Sequence, residues 1–169
     1  MVLYSELQDY EVVNQLGKKI GKLDGMIVDF ADWKVKNVIL SHGILKKHVS
    51  VNLEKLKKAD EEEKKLIIPT EAQEENIPES SSFNAAFVED DLLGKKVVSS
   101  DDHEVGKVYD FDVPISLKRW KVWKILIKRG MKERRLRIGP EEIQSISDEI
   151  VLKKSISEIE DEDDDKKKK

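Results

Sequence analysis

The chain has 169 residues, of which 39% are charged, and its formal net charge at pH 7 is -4. It contains no cysteine, which excludes disulfides, thiolate zinc sites and cysteine nucleophiles. No stretch approaches the roughly 18 apolar residues that a membrane-spanning helix needs, and the acidic start of the chain is unlike a secretory signal. We therefore expect a soluble, cytoplasmic protein.

An internal duplication organises the chain. Residues 5–26 align without a gap with residues 90–111, at a spacing of 85. The second copy then has two extra residues, after which the WKV segment at Trp33 aligns with the WKV segment at Trp120. Two repeats of roughly 70 residues predict two small domains, each with a thin core that gains stability by packing on its twin or on another chain.

The first copy predicts short strands and one helical turn. Apolar and β-branched runs bounded by Gly and Asn are typical of strands joined by tight turns, and Asn52 is a favourable helix N-cap. The predicted elements, in chain order, are strands at Tyr10–Val13, Lys18–Phe30, Trp33–Ser41 and His48–Val51, a helical turn at Leu53–Leu56, and a strand at Leu66–Ile68.

The second copy repeats this order, with Pro140 opening its helical turn and a closing strand at Ile150–Leu152. An acidic, polar stretch between the copies predicts a solvated linker, and the acid and lysine blocks at the end of the chain predict a disordered tail. Phe83 and Phe87 are expected to lie against the second barrel; a short partner-binding motif is the alternative. The predicted division is a first domain at 1–70, a linker at 71–91, a second domain at 92–158 and a tail at 159–169.

Many short strands without room for crossover helices predict an antiparallel sheet, and closure of so small a sheet into a barrel removes its exposed edges. We therefore predict an all-β fold of two tandem small antiparallel β-barrels, each with one short helical turn. The third strand of each copy is apolar on both faces, which predicts that its outward face packs against the other copy or a second chain. The residues of this predicted packing interface are Val35, Ile39, Val122 and Leu126.

The matched blocks resemble the PRC-barrel family. The second copy carries the better match, with LLGKKVVSSDDHEVGKVYDFDV at residues 92–113, a turn at Gly130 and SISDEIVL at residues 145–152. The first copy departs from the pattern where Asn52-Leu53 stands for Gly139-Pro140. The resemblance implies tandem PRC barrels that bind protein partners and are not enzymes, similar to small stand-alone archaeal proteins, some of which look like cell-division adaptors.

Catalytic and metal chemistry has little support in the sequence. The three histidines occupy unmatched positions, and none has the spacing of a zinc site. Acid pairs such as Asp101-Asp102 are neighbours in sequence and would point to opposite faces of a strand, which makes a poor catalytic dyad. We expect no catalytic residue, no metal and no cofactor, and hence a protein that is not an enzyme.

A basic run in the second copy is the strongest functional signal. Residues 118–137 contain ten cationic side chains and one acidic side chain. Trp120 and Trp123 lie among the cations as candidate stacking residues for nucleic-acid bases. The residues of the predicted binding face are Lys118, Arg119, Lys121, Lys124, Lys128, Arg129, Arg134, Arg135 and Arg137.

Several occupants fit this face. An acidic protein partner suits an adaptor, which is the leading hypothesis, and the family resemblance implies archaeal cell division as its setting. Structured RNA suits the alternative, an RNA-binding or ribosome-maturation factor. The acidic linker of the same chain, or solvent alone, would also account for the charges. A homo-oligomer is compatible with the doubled apolar strand, and the sequence does not identify the partner.

Overall fold

The computed structural model describes residues 1–42, 47–70, 85–116, 119–130 and 134–160, with the backbone alone at 42, 47, 85, 86 and 134. The strands in chain order are β1 (Val2–Leu3), β2 (Glu11–Asn14), β3 (Lys19–Asp29), β4 (Lys34–His42), β5 (Lys47–Asn52), β6 (Lys58–Asp60), β7 (Lys65–Ile68), β8 (Ala85–Phe87), β9 (Lys96–Val98), β10 (Glu104–Val113), β11 (Lys124–Arg129), β12 (Arg134–Ile138), β13 (Ile143–Ile146) and β14 (Glu149–Leu152). The helical segments are α1 (Tyr4–Leu7), 3₁₀ turns at Leu53–Lys55 and Pro140–Glu142, a π-helical turn at Val88–Leu92 and a helical turn at 156–160.

The strands form two sheets with the same order, which confirms the all-β fold with two tandem barrel-like repeats. One sheet runs β5-β4-β3-β2-β7-β6 and the other β12-β11-β10-β9-β14-β13. Two pairs depart from the antiparallel prediction, since β2–β7 and β9–β14 are parallel. In each copy the closing strand returns beside the first hairpin strand and runs in the same direction.

The apolar third strand of the first copy is buried on both faces, as its sequence predicts. In β4, Val38 and Leu40 are 2% and 0% exposed, while Val35 and Ile39 on the other face are 5% and 9% exposed. Ile39 lies over Gly25 of β3, where an added Cβ would come within 3.3 Å of the Ile39 side chain. The glycine therefore lets the two strands pack closely.

The predicted helical turn of the first copy forms where expected. The side-chain oxygen of Asn52 accepts a hydrogen bond from the N–H of Glu54 at 2.9 Å, which is the N-cap contact that its sequence predicts. Strands β6 and β13 were not predicted. β6 reads Lys-Ala-Asp, so it lacks the apolar run by which sequence patterns reveal a strand.

The predicted linker was too long at its C-terminal end. Ala85–Phe87 form β8, which pairs with β3, and Val88 and Leu92 of the following π-helical turn are both 0% exposed. Phe87 lies opposite Ile27 of the first copy, so the expectation that it lies against the second barrel was wrong. Residues 71–84, including Phe83, lie outside the described residues.

The predicted disordered tail was also too long, because it included Ile159, whose side chain is buried. Ile159 is 3% exposed and lies beside Leu136, Ile138 and Leu152 of the second copy. The preceding turn starts at Ser155, whose hydroxyl accepts a hydrogen bond from the N–H of Glu158. Residues 161–169 lie outside the described residues.

The chain divides into two compact units, whose boundaries differ from the sequence repeat. The first unit is Met1–Asp91 with Asp112–Val122, and the second is Leu92–Phe111 with Trp123–Lys169. The segment Asp112–Val122 belongs to the second copy by sequence but to the first unit by its contacts. Apart from these ends of the linker and the tail, the sequence-derived domain boundaries stay a prediction, and at Asp112–Val122 they differ from the compact units.

Backbone pairing explains why this segment belongs to the first unit. Val113 lies opposite Val2 of β1, and Val122 donates its N–H to the carbonyl of Trp33 at 2.9 Å. Val35 donates its N–H to the carbonyl of Trp120, also at 2.9 Å. The first unit therefore contains strand partners from both copies.

Candidate protein-binding surfaces

The predicted basic run is divided between the two compact units. Arg119 and Lys121 belong to the first unit, whereas the cations from Lys124 onward belong to the second. Lys118 and the side chain of Arg134 lie outside the described residues. The division falls at Trp120–Val122, where the chain pairs with the start of β4.

The hairpin of β11 and β12 carries most of the remaining cations. Lys128 lies directly opposite Arg135, and Leu126 directly opposite Arg137. Residues that face each other across an antiparallel pair point to the same side of the sheet, so these four side chains share one face. Lys128, Arg135 and Arg137 are exposed, while Leu126 is 9% exposed among them.

Two cations of the run have structural contacts. Nε of Arg129 donates to the carbonyl oxygen of Val105 at 3.2 Å, and its guanidinium lies 4.0 Å from the Glu160 carboxylate. Its side chain is only 11% exposed. Strand alternation places Arg129 on the opposite side of the sheet from Lys128. Its contacts with Val105 and Glu160 therefore stabilise the second unit. Lys124 lies 3.9 Å from the carboxylate of Glu141.

Tyr109 joins the exposed face, and sequence reasoning missed it. The guanidinium of Arg135 lies over the Tyr109 ring at 4.6 Å from the centroid, and Tyr109 is 38% exposed. A cation over an aromatic face is attracted to it by roughly 0.5–1 kcal/mol at an exposed site. The alternation of exposed Lys107, buried Val108 and exposed Tyr109 in β10 could have found it. We call Tyr109, Lys128, Arg135 and Arg137 the hairpin face.

The PRC-barrel domain model matches residues 1–75. These residues hold the complete first sheet path from β2 to β7. The match to the PRC-barrel family therefore covers the first copy of the chain. The second PRC-like copy lies beyond the matched residues and has the same strand order. No curated protein matches the chain.

The three tryptophans of the chain have different environments. Trp120 is 1% exposed and packs within the first unit, so the hypothesis that it stacks on a base was wrong. Trp123 is 54% exposed. Trp33, the repeat equivalent of Trp120, is 7% exposed and lies 4.9 Å from Phe30, measured between ring centroids.

The predicted packing residues are all buried. Val35 and Val122 are 5% and 1% exposed, and they flank the bridge between Lys34 and Lys121 in the first unit. Ile39 lies over Gly25, and Leu126 lies on the hairpin face. Two of the four therefore adjoin a pairing between the copies, and whether the others pack against a second chain stays a prediction.

Two of the histidines form local pairs with acids. His48 lies 2.5 Å from the Asp24 carboxylate, and His103 lies 3.5 Å from Asp101. The Ser99 hydroxyl and the N–H of Ile156 donate to Asp101 and hold its pKa below the usual value. Within the described ranges no three of these groups converge as metal ligands, and no helix is long and apolar enough to cross a membrane.

Proposed function

We propose that this protein is a non-enzymatic adaptor that binds an acidic protein partner through the hairpin face. The proposal rests on one observation. Three exposed cations lie on one face of the β11–β12 hairpin, and one of them lies over the ring of Tyr109 in β10. Arg and Tyr are enriched at protein interfaces, where long side chains that are already ordered lose less entropy on binding. The stacking of Arg135 on Tyr109 supplies such ordering.

The hairpin face also has a sharp boundary that supports a recognition role. Its cations lie on one side of β11 and β12, while Ile125, Ile127 and Leu136 on the other side are 0%, 0% and 5% exposed. The face can therefore change charge without disturbing the core. This property separates Lys128 and Arg135 from Arg129, whose guanidinium is committed to contacts within the second unit.

A pull-down from native cells with the full chain tests the proposal. The variant Lys128→Gln/Arg135→Gln/Arg137→Gln is expected to lose a partner that the wild type retains, because opposite charges steer and orient the encounter. The matched control is Lys18→Gln/Lys22→Gln, which removes two exposed cations from the first copy. Equal recovery of all partners by the triple variant would contradict the proposal. Recovery of division proteins would support the cell-division setting that the family resemblance implies.

RNA binding is the second candidate, and the exposed ring of Tyr109 favours it. Aromatic side chains on an open sheet face stack on unpaired bases, and neighbouring cations contact the phosphates. This candidate predicts RNA in the wild-type pull-down, with affinity that falls steeply as salt increases and is lost in the triple variant. A partner that survives nuclease treatment and contains no RNA would rule it out in favour of the adaptor.

A further inference from the structure

Two identical segments of the chain pair with each other in the first unit. Trp33-Lys34-Val35 and Trp120-Lys121-Val122 run antiparallel, and the bridge places Lys34 directly opposite Lys121. The flanking hydrogen bonds, from Val35 to Trp120 and from Val122 to Trp33, are both 2.9 Å long. We call these two tripeptides the joint.

The joint combines cations with buried apolar residues. Lys36 follows Lys34 two residues later in the chain, and Arg119 precedes Lys121 by two. Lys34 and Lys36 have half-exposed side chains, and Arg119 and Lys121 are exposed. Val35, Trp120 and Val122 of the joint are buried.

The positive charge of the joint is only partly compensated. Asp32 lies 3.5 Å from Lys36 and 4.0 Å from Lys34. Partial burial would raise the pKa of Asp32, but the N–H of Lys34 and the charge of Lys36 lower it overall, so this carboxylate is ionised. Across the part of the chain that the structure describes, Arg119 and Lys121 have no ion pair. Like charges directly opposite on paired strands destabilise the pairing, so the joint holds cations together against their repulsion.

A pocket of about 300 Å³ adjoins these cations. Lys34, Lys36 and Arg119 line it together with Asn52 and Glu54. Val35, Leu53 and Trp120 complete the lining with small exposed edges, since these side chains are 5%, 5% and 1% exposed. Nε1 of Trp120 is the single buried side-chain nitrogen or oxygen that lacks a hydrogen-bond partner within the described residues. Cations and a cavity of this volume thus occur at one place.

We propose that the joint and its pocket form a second binding site, whose ligand is an acidic peptide segment of a protein partner. Carboxylates of the peptide would neutralise Lys34, Lys121 and Arg119, and an apolar side chain would cover the exposed edge of Leu53. A pocket of this volume suits side chains better than a single small anion. The inference rests on the proposed protein-binding function for its class of ligand, but it uses residues outside the hairpin face.

The test uses the full chain and a fluorescein-labelled hexapeptide of alternating Glu and Leu, followed by fluorescence anisotropy at low salt. The variant Lys34→Gln/Lys121→Gln is expected to bind the peptide about threefold to tenfold more weakly, from the loss of two partly exposed charge contacts. The same variant is expected to melt about 1–4 °C higher, because the like-charge repulsion is gone. A variant that simply folds less well would show a lower peptide affinity and a lower melting temperature. It would not show a lower affinity together with a higher melting temperature.

Two further variants separate this site from the hairpin face. Lys18→Gln/Lys22→Gln removes the same charge elsewhere on the first copy and is expected to bind like the wild type. Lys128→Gln/Arg135→Gln/Arg137→Gln is expected to retain most of the peptide affinity. Loss of binding in this triple variant alone would overturn the joint site and leave the proposed function standing.

Other outcomes also decide the matter. No binding of the peptide by the wild type, or equal binding by Lys34→Gln/Lys121→Gln, overturns the proposal, whatever the native pull-down returns. Tighter binding of an oligouridylate than of the peptide, lost in the same variant, would assign the joint to nucleic acid and also overturn it. Weaker peptide binding by Lys34→Gln/Lys121→Gln, together with equal recovery of all native partners by the triple variant, would uphold the joint while the hairpin-face adaptor failed.

Discussion

The joint and the hairpin face show how the same repeat can use its cations in two different ways. At the joint, Lys34 and Lys121 are repeat equivalents that lie opposite each other across one bridge. On the hairpin face, Lys128 and Arg135 are also opposite each other, but the open sheet allows Arg135 to lie over Tyr109. Both pairs of cations lie opposite each other across paired strands, but of these four cations only Arg135 lies over an aromatic ring. Backbone pairing therefore decides which side chains a cation can contact.

A second contrast lies within the hairpin itself. Arg129 and Arg135 are the same residue type on paired strands, yet one bonds the Val105 carbonyl and the other lies over an exposed ring. Strand alternation alone separates them. A charge run read from the sequence therefore overstates the size of a binding face by counting both sides of each strand.

The largest expected effect comes from removing a buried apolar side chain of the joint. Trp120→Ala should lower the free energy of unfolding by about 3–5 kcal/mol, since Trp120 is 1% exposed and its loss leaves a cavity. Trp123→Ala is the matched control; this side chain is 54% exposed, and the change should stay within about 0.5 kcal/mol. Urea unfolding followed by circular dichroism measures both. A cost for Trp120→Ala no larger than for Trp123→Ala would mean that the joint does not hold the segment 119–122 in the first unit.

Close packing in the second unit gives the next largest effect. A Cβ at Gly106 would clash with the carbonyl oxygen of Lys128, a backbone atom that cannot rotate away. Gly106→Ala should therefore cost about 2–3 kcal/mol and displace the hairpin that carries Lys128. Gly25→Ala in the first copy meets the flexible end of Ile39 at 3.3 Å and should cost about 1 kcal/mol or less. Similar thermal midpoints for the two variants would show that the hairpin can shift without loss.

Much of the fold could be predicted from the repeat, because its signals are local. Asn52 caps its turn as its side chain predicts, and the apolar pattern of β4 correctly predicts burial on both faces. The pairing of Val35 with Trp120 could not be predicted in the same way. Nothing in a periodic apolar pattern tells whether a strand pairs within its own copy or with the other.

The candidate sites were predicted less well for the same reason. The basic run includes Lys128 and Arg135, which are exposed, but it grouped them with Arg119, which belongs to the other unit. Lys34 and Lys36 were not considered, since the first copy is nearly neutral overall. Their proximity to Arg119 depends on a contact between residues far apart in sequence, which composition does not record.

A moderate effect is expected for a side-chain hydrogen bond between the residues that precede the two aligned segments. The Tyr4 hydroxyl donates to the Glu89 carboxylate at 2.5 Å, and the two residues are 85 apart, the spacing of the repeat. Tyr4→Phe should cost about 1 kcal/mol, since Glu89 stays exposed to water and keeps its contact with Gln8 at 2.7 Å. Tyr109→Phe is the control and should leave stability unchanged to within about 0.5 kcal/mol.

The same tyrosine predicts a dependence on alkaline pH. Burial first, and then the Glu89 carboxylate, raise the pKa of Tyr4 above its ordinary value. Well below pH 10, the approximate pKa of tyrosine in the unfolded chain, the Tyr4 hydroxyl is protonated in both the folded and the unfolded state. Above that pH the unfolded state loses this proton first, so the free energy of unfolding falls as pH rises. Urea midpoints of the wild type should therefore decline above that pH more steeply than those of Tyr4→Phe. Parallel declines would show that Tyr4 does not titrate on unfolding.

The smallest expected effect compares equivalent turns of the two copies. Gly17 and Asp102 are 85 residues apart and both have positive φ, 84° and 62°. A Cβ at Gly17 would meet no atom within 4 Å, so the difference between the turns lies in the backbone rather than in packing. Asp102→Gly should stabilise the protein by about 0.5–1 kcal/mol, and Gly17→Ala should destabilise it by about 1 kcal/mol. An unchanged thermal midpoint for Asp102→Gly, with the loss for Gly17→Ala present, would mean that the Asp102 side chain stabilises its turn as much as its Cβ strains it. Gly and Asp would then stabilise the same backbone conformation equally well at the equivalent turns of the two copies.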